Sequence, residues 1–303
     1  MEQDAAIREA LAGARVHQRE RSAALAFLRR LFKDKPLGAT GAVMLVFFFG
    51  IAVLAGVIAP YPYDQISFAE IMDPPSGAHL LGTDYLGRDL LSRMIYGARV
   101  SIFVALAAVT GATLLSLSLG IISGWYGGTV DALMQRLVVN TWIALPGLLV
   151  LLTLASIIGP GVFTVAFILS LGGLSESRVI RGTVFTLKAS TFVEAAQAMG
   201  ASTRRIMLQH ILPNCFAPAI ILFTIRFGTA ILAESTLSFL GYGIPPPFPT
   251  WGQMLSGESL SHFYEGPWTL VWPGIALTLA VFGSNVFGDA LRDLLDPRLR
   301  GRV

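Results

Sequence analysis

The amino-acid sequence predicts an all-α, polytopic membrane protein with six transmembrane helices. Of its 303 residues, 54% are hydrophobic and only 14% are charged, whereas roughly a quarter of the residues in soluble domains are charged. The mean hydropathy is +0.65. Several stretches without a charged residue are long enough to cross a bilayer, which takes about 20 apolar residues in a helix. Together these observations exclude an ordinary soluble domain.

The uncharged stretches divide into six candidate spans. Residues 36–63 form an uncharged run of 28, residues 100–130 one of 31, and residues 137–175 one of 39. The third run is nearly twice as long as one crossing requires, and the Gly-Pro-Gly sequence at 159–161 supplies a turn that divides it. Two more apolar runs follow. The predicted helices are 38–59, 99–123, 135–158, 161–180, 214–240 and 268–289.

The distribution of basic residues predicts the orientation. With the N-terminus in the cytoplasm, 18 of the 22 Lys and Arg residues fall in inside segments and three in outside segments. Because cytoplasmic segments of membrane proteins are enriched in Lys and Arg, both termini are predicted to be cytoplasmic. Residues 1–35 hold eight of these basic residues, and no small-residue cleavage pattern closes the first apolar run. We therefore expect that run to remain as a membrane anchor.

Four segments follow from these spans. We expect a cytoplasmic N-terminal segment with an amphipathic helix over residues 1–37 and a cytoplasmic tail over residues 291–303. Residues 38–98 would hold the first transmembrane helix and an external loop. Residues 99–290 would form a five-helix core, which contains a cytoplasmic loop at 182–213.

Two long segments are predicted to lie outside the membrane, at residues 60–98 and 241–267. Both contain several prolines and aromatic residues, and this turn-forming composition indicates ordered caps. Ordinary connectors are the alternative. We interpret Asp84 and Asp89, in the first segment, as structural and not as a catalytic pair of carboxylates.

The cytoplasmic loop predicts two short helices joined at a glycine. Thr191 and Glu194 have the spacing of a capping box, and Gly200 stands where a helix end favours the left-handed conformation. Ser202 or the following threonine is predicted to cap a second helix that ends at about His210. Pro213 is then expected to prevent that helix from running unbroken into the next span.

The first short helix, with the sequence EAAQAMG at 194–200, carries one predicted apolar face of Phe192, Ala195, Ala196 and Met199. Such a helix can lie in the lipid headgroup region. However, its small residues also allow the surface of another protein to approach closely. The residue pattern by itself leaves both interpretations open.

The segment EAAQAMGASTRRIMLQHILPN resembles the EAA loop of permeases from ATP-binding cassette (ABC) importers. The shared pattern comprises Glu-Ala-Ala, a glycine four residues after the second alanine, and a Leu-Pro pair. Here these positions are Glu194, Ala195, Ala196, Gly200, Leu212 and Pro213. Segments 79–99, 234–255 and 288–301 resemble the second permease subunit of dipeptide, oligopeptide and nickel importers.

This resemblance implies a type I ABC importer permease fold and a set of partners. A homologous second permease would complete the path, and an extracytoplasmic solute-binding protein would deliver the substrate. Two cytoplasmic ATPase subunits, which bind the ATP and Mg²⁺, would dock at Glu194, Ala195, Ala196, Met199 and Gly200. The implied location is a bacterial or archaeal inner membrane. The implied substrates are peptides, with nickel, glutathione or another small solute as alternatives.

Several kinds of chemistry are missing from the sequence. None of the three lysines follows a glycine, so the chain lacks the Gly-Lys-Ser/Thr sequence of a phosphate-binding loop. Its one cysteine, Cys215, permits no intrachain disulfide. The four histidines lie far apart in the sequence, which disfavours a metal site. We therefore expect a subunit that is not itself an enzyme, has no cofactor of its own and does not bind nucleic acid.

Two charged residues fall within the predicted fifth span, Arg226 and Glu234. A charge within a span usually faces the bundle interior or water. Both residues are therefore candidates for the translocation path, on which Arg226 could meet a substrate carboxylate. The alternative is that Arg226 pairs with the partner subunit or reaches towards the membrane surface. A secondary transporter or channel would also need charged relays in its spans, and we keep it as a function of another class.

Overall fold

The structure, a computed structural model, describes residues 27–295. This part of the chain is mostly helical, and the only extended pairing within it is an isolated bridge between Thr83 and Asp89. Between residues 27 and 295, five helices are long and apolar enough to cross a membrane, and a bent pair of helices brings the number to six. These findings confirm the predicted all-α membrane fold. Most of the predicted N-terminal segment, and the tail beyond Leu295, lie outside the described residues.

The first two spans are helices α1 (Pro36–Ile58) and α2 (Leu90–Tyr126). Helix α1 has a proline in its first turn, where the missing N–H costs nothing. Helix α2 begins nine residues before the predicted start at 99, because the Asp89 carboxylate accepts the Ser92 backbone N–H at 2.8 Å and caps it. The proposed segment boundary at 98/99 therefore falls inside a helix.

The third predicted helix, 135–158, is wrong as a continuous element. The chain instead forms α3 (Gly128–Ala144) and α4 (Gly147–Ile158), which meet at an angle of 94°. Pro146 causes the break, because proline has no backbone N–H and forces the preceding Leu145 into an extended conformation. The Gly-Pro-Gly turn then separates α4 from the next span as predicted.

The fourth span contains α5 (Val162–Ser170) and α6 (Gly173–Lys188), which are interrupted at residues 171–172. The short α7 (Thr191–Ala198) follows in the loop. Helix α8 (Thr203–Phe239) then forms the next span. The remaining helices are α9 (Trp251–Met254), α10 (Glu258–Ser261) and α11 (Trp268–Leu295).

The prediction that Pro213 separates a loop helix from the fifth span is wrong. Helix α8 runs from Thr203 through Pro213, with a π-helical turn at Met207–Ile211. Proline is tolerated in a helix where wider turns and side chains satisfy the freed backbone groups. In the same turn, the Asn214 side-chain amide adds a hydrogen bond to the His210 carbonyl at 2.7 Å. The coupling loop and the span are therefore one continuous element.

Helix α2 lies at the centre of the bundle, in contact with α1, α5, α6 and α8, and α11 packs against α1 and α8. The two segments predicted to lie outside are folded against the bundle. Asp84 accepts from Arg88 at 2.7 Å and pairs with Arg93 at 3.3 Å. In the second segment, the Trp251 indole donates to the Met94 carbonyl of α2 at 3.2 Å. Their packing is that of ordered caps and not of loose connectors.

Candidate functional site

Helix α7 is attached to the bundle through its buried side. Val193 and Ala196 are almost inaccessible to solvent and pack among residues of α2, α6 and α8. We call this group the α7 base cluster; its buried members are Leu117, Ile121, Trp125, Ile180, Val184, Val193, Ala196, Ile206, Ile211, Cys215 and Ala219. Because the cluster includes residues from three long helices, α7 cannot move without displacing them.

The start of α7 differs from the predicted capping box. The N-cap is Ser190 and not Thr191, and its hydroxyl donates to the Leu187 carbonyl instead of capping the helix. Glu194 is therefore the fourth helical residue, one position too late for its carboxylate to reach back to the N-cap. The Glu194 side chain is exposed and is not needed to begin the helix.

The end of α7 is as predicted. Gly200 has φ +79°, in the left-handed region that favours glycine. Its N–H donates to Gln197 at 2.9 Å, and the Ala201 N–H donates to Ala196 at 3.0 Å. These two bonds form a Schellman motif, which closes the helix and turns the chain sharply. Ser202 then caps α8, since its hydroxyl accepts the Arg205 N–H at 3.4 Å.

The outer side of α7 is open. Met199 is 82% exposed and Phe192 is 41% exposed. With Glu194, Ala195 and Gly200, which are also exposed, they form what we call the α7 surface. The predicted single apolar face is thus divided, because Ala196 points into the base cluster while the other three members face outwards.

The last two residues of the predicted motif lie in α8. Leu212 is half-buried and packs against the α7 base cluster, whereas Pro213 is exposed. Their position extends the motif from α7 into the following span.

An ion pair that was not predicted from the sequence joins two helices beside α7. Arg181 of α6 donates through Nε to Asp131 of α3 at 2.5 Å, and Ser123 of α2 also donates to this carboxylate. Lys188, at the end of α6, donates to the Trp125 carbonyl at 2.6 Å. These contacts join α2, α3 and α6 beside the helix that carries the α7 surface.

A second ion pair lies within the membrane-spanning bundle. Arg226 of α8 contacts Glu176 of α6, with 3.2 Å between Nε and Oε1. Arg226 also lines a cavity of about 280 Å³, together with Trp142, Leu151 and Gly172. Glu176 was not among the predicted site residues, because in the sequence it ends an uncharged run. Its position within the predicted span 161–180 was the signal that could have identified it.

Glu234, the other candidate for the translocation path, lies elsewhere. Its side chain has no solvent exposure and does not line the Arg226 cavity. The Ser238 hydroxyl donates to it at 2.8 Å and the Ser235 hydroxyl at 3.4 Å. The structure thus does not bring the two candidates to a common surface. Within residues 27–295, no group of three or more His, Cys, Asp or Glu side chains could hold a metal ion.

Comparison with known proteins identifies the family. Residues 116–301 match the family described as binding-protein-dependent transport system inner membrane component, and residues 25–75 match the N-terminal transmembrane domain of oligopeptide transport permease C.

Relatives with named functions cover nearly the whole chain. The dipeptide transport system permease protein DppC of Alkalihalophilus pseudofirmus is 37% identical over 90% of this chain and 89% of its own length. The oligopeptide transport system permease protein OppC of Bacillus subtilis is 37% identical over 89% of this chain and 88% of its own length. A glutathione transport system permease protein, GsiD of Escherichia coli, is 35% identical over 90% of this chain and 90% of its own length.

These similarities extend well beyond the EAA loop and include both ends of the bundle. They remove the alternative of a secondary transporter or channel. The chain belongs to the binding-protein-dependent inner membrane components and is an ABC importer permease of the peptide-transport family.

Proposed function

We propose that the chain is one of two homologous permease subunits of an ATP-driven peptide importer and forms half of its translocation path. Two cytoplasmic ATPase subunits dock on the loops of the two permeases, and an extracytoplasmic solute-binding protein delivers the peptide. ATP and Mg²⁺ bind to the ATPase subunits, and this chain takes no part in the hydrolysis chemistry.

The contrast between the two sides of α7 supports the docking role. The α7 surface offers small residues, an exposed methionine and a free carboxylate, while Val193 and Ala196 are fixed in the base cluster. A helix that only rested on lipid would place its bulky apolar residues on one side. Here the largest apolar side chains and the charge of Glu194 share the exposed side, which suits a protein groove better than a headgroup layer.

The continuity of α8 supports the transmission of force. A push on α7 acts on the base cluster, in which Ile206 and Ile211 belong to the first turns of α8. Because α8 continues without a break to Phe239, a shift at the loop reaches the opposite end of the bundle. Packed helices respond to such a shift by moving as rigid bodies between discrete arrangements. In this way ATP-driven closure of the ATPases would reorient the path.

Peptides are the proposed substrates because the named relatives transport dipeptides, oligopeptides and glutathione. All of these carry amide, amino and carboxylate groups. Within the same family, the runner-up is glutathione, followed by nickel or another small solute. The binding protein that copurifies with the complex, and the ligand that it holds, would decide among them.

Cross-linking tests the docking role directly. A Met199→Cys variant of the assembled complex, labelled with a maleimide that carries a photoactivatable diazirine, should form a covalent adduct with an ATPase subunit on illumination. The matched control is Tyr264→Cys. Tyr264 is 96% exposed and lies in the second predicted external segment, residues 241–267, so this variant should form no such adduct. Glu194→Lys should reduce substrate-stimulated ATPase activity with normal membrane insertion. The absence of an adduct at position 199, together with full activity of Glu194→Lys, would contradict docking.

A further inference from the structure

A sharply bent span and a short helical irregularity meet at the Arg226 cavity. The cavity is lined by Trp142 at the end of α3, by Gly147 at the start of α4, and by Gly172 in the gap between α5 and α6. Irregular backbone at membrane depth is tolerated where it is buried in protein or lines a cavity. In secondary transporters, discontinuous helices near the midplane commonly form the substrate site. By the same physical reasoning, the 94° bend between α3 and α4 points to this cavity.

Arg226 stands halfway along the part of α8 that follows the π-helical turn. It follows the start of the Leu212–Phe239 segment by 14 residues and precedes its end by 13. At about 1.5 Å per residue, the Cα atom of Arg226 lies roughly 20 Å from either end of that segment. A charged side chain at such a depth is costly and by default belongs to a functional site.

The guanidinium group of Arg226 lies directly against the backbone of Gly172. A Cβ atom at Gly172 would come within 1.3 Å of Arg226 Nη2. Any other residue at this position would therefore displace the guanidinium group, which lies against the bare backbone of the gap between α5 and α6. The glycine at the interruption and the arginine that it accommodates form one arrangement.

The ion pair is only partly enclosed. The side chain of Arg226 is 31% exposed and that of Glu176 is 13% exposed. The closest contact with Glu176 is made through Nε. A guanidinium group has five N–H donors, so this one carboxylate does not satisfy all of them. The structural alternative, a pair that merely holds α6 to α8, does not require exposure of the cationic member to a cavity.

On the proposed function of a peptide importer, we infer that Arg226 and Glu176 form a two-sided contact for the termini of a zwitterionic peptide, with the peptide carboxylate on Arg226 and its ammonium group on Glu176. Charge balance makes this exchange possible in a medium of low dielectric constant, where an unpaired charge is expensive. When a peptide enters, Arg226 and Glu176 separate from each other and each pairs with the opposite charge on the peptide. The net charge in the cavity therefore stays zero throughout. When the peptide leaves, the two side chains pair again, which prevents tight retention of the substrate.

The test uses the complete complex in proteoliposomes, with the peptide-loaded binding protein and ATP. Peptide uptake and ATP hydrolysis are measured together as peptides transported per ATP. Arg226→Gln and Glu176→Gln should each lower this ratio at least about tenfold, the loss expected for one charge-assisted hydrogen bond. Stimulation of the ATPase by the loaded binding protein should persist, because the α7 surface is unchanged. Arg226→Lys should retain most of the transport.

If a single variant fails to assemble, the double variant Glu176→Gln/Arg226→Gln replaces it, because it leaves no unpaired charge. It should show the same loss of peptides transported per ATP. Lys35→Gln is the matched control: it removes one charge from the Lys35–Asp293 ion pair at the end of the bundle and should leave the ratio unchanged. A normal ratio in the double variant, or in both assembled single variants, overturns the inference while the peptide importer stands. If the wild-type complex neither transports peptide nor responds to the binding protein, the proposed function itself fails.

Discussion

At the scale of single residues, three glutamates show how the surroundings decide what a carboxylate does. Glu194 is exposed on a short helix and has no role in its capping. Glu176 faces an arginine beside a cavity. Glu234 is fully enclosed and receives hydroxyl donors from its own helix. The same chemical group is therefore exposed on α7, paired with an arginine inside the bundle, or enclosed in the core.

The enclosed glutamate is expected to matter for stability. Glu234→Ala should lower the free energy of unfolding by about 2–4 kcal/mol, because it leaves a cavity and strands the hydroxyls of Ser235 and Ser238. Glu194→Ala, at an exposed position, should change stability by less than about 0.5 kcal/mol. The thermal unfolding midpoint of the purified protein in detergent measures both. Equal midpoints for the two variants would show that Glu234 is not part of the core.

A substitution at Gly200 tests the effect of backbone conformation without a change in side-chain contacts. Its φ is +79°, and an added Cβ would meet nothing within 4 Å. Gly200→Ala should therefore act only through backbone strain of about 1 kcal/mol, and it should lower the ATPase rate stimulated by the binding protein. Gly182→Ala is the matched control, because Gly182 is helical and also has open space around it. A full rate in Gly200→Ala would show that the sharp turn after α7 is dispensable.

At the scale of elements, the number and order of the spans could be predicted because apolar length is a local property of the sequence. The errors arose where the helix continues through residues that a length criterion treats as boundaries. Helix α2 extends through the charged Arg93 to its cap at Asp89, and α8 passes Pro213 by means of a π-helical turn. Pro146, by contrast, does bend its helix by 94°. Which proline breaks a helix depends on whether neighbouring groups can satisfy the freed carbonyls.

The residues of the site also differ in whether they could be predicted from the sequence. The EAA loop could be found from sequence because its spacing and its turn glycine lie within 20 residues. The ion pairs could not, because Arg181–Asp131 and Arg226–Glu176 each join residues 50 positions apart. Only the packing of α6 against its neighbours brings these charges together.

Close helix packing leads to a prediction for α2 and α6. An added Cβ at Gly120 would come within 2.6 Å of the Ile180 Cβ, so the two helices touch through small residues, as is common in membranes. Gly120→Ala should force them apart at a cost of about 1–3 kcal/mol and lower the thermal midpoint. Gly50→Ala, where nothing lies within 4 Å, serves as the control. If Gly120→Ala matched this control, the two helices would not be in close contact.

At the scale of the whole molecule, the two ends of the described chain lie together. Lys35 at the start of α1 pairs with Asp293 near the end of α11, with 2.5 Å between Nζ and Oδ2. Leu31, Ala39 and Ala290 form a small cluster beside this pair. An even number of crossings brings the chain back to the side on which it began. The ion pair therefore agrees with six spans, in which the bent α3–α4 pair counts as one.

Orientation is the property of the whole molecule that labelling can decide. The excess of Lys and Arg at the ends and in the α7 loop predicts that they are cytoplasmic. A membrane-impermeant maleimide should therefore label Tyr264→Cys in intact spheroplasts and should label Lys33→Cys only after the membrane is permeabilised. Both positions are exposed in the structure, and the native Cys215 is buried, which keeps the background low. Labelling of Lys33→Cys before permeabilisation would reverse the orientation and place the α7 surface out of reach of any cytoplasmic ATPase.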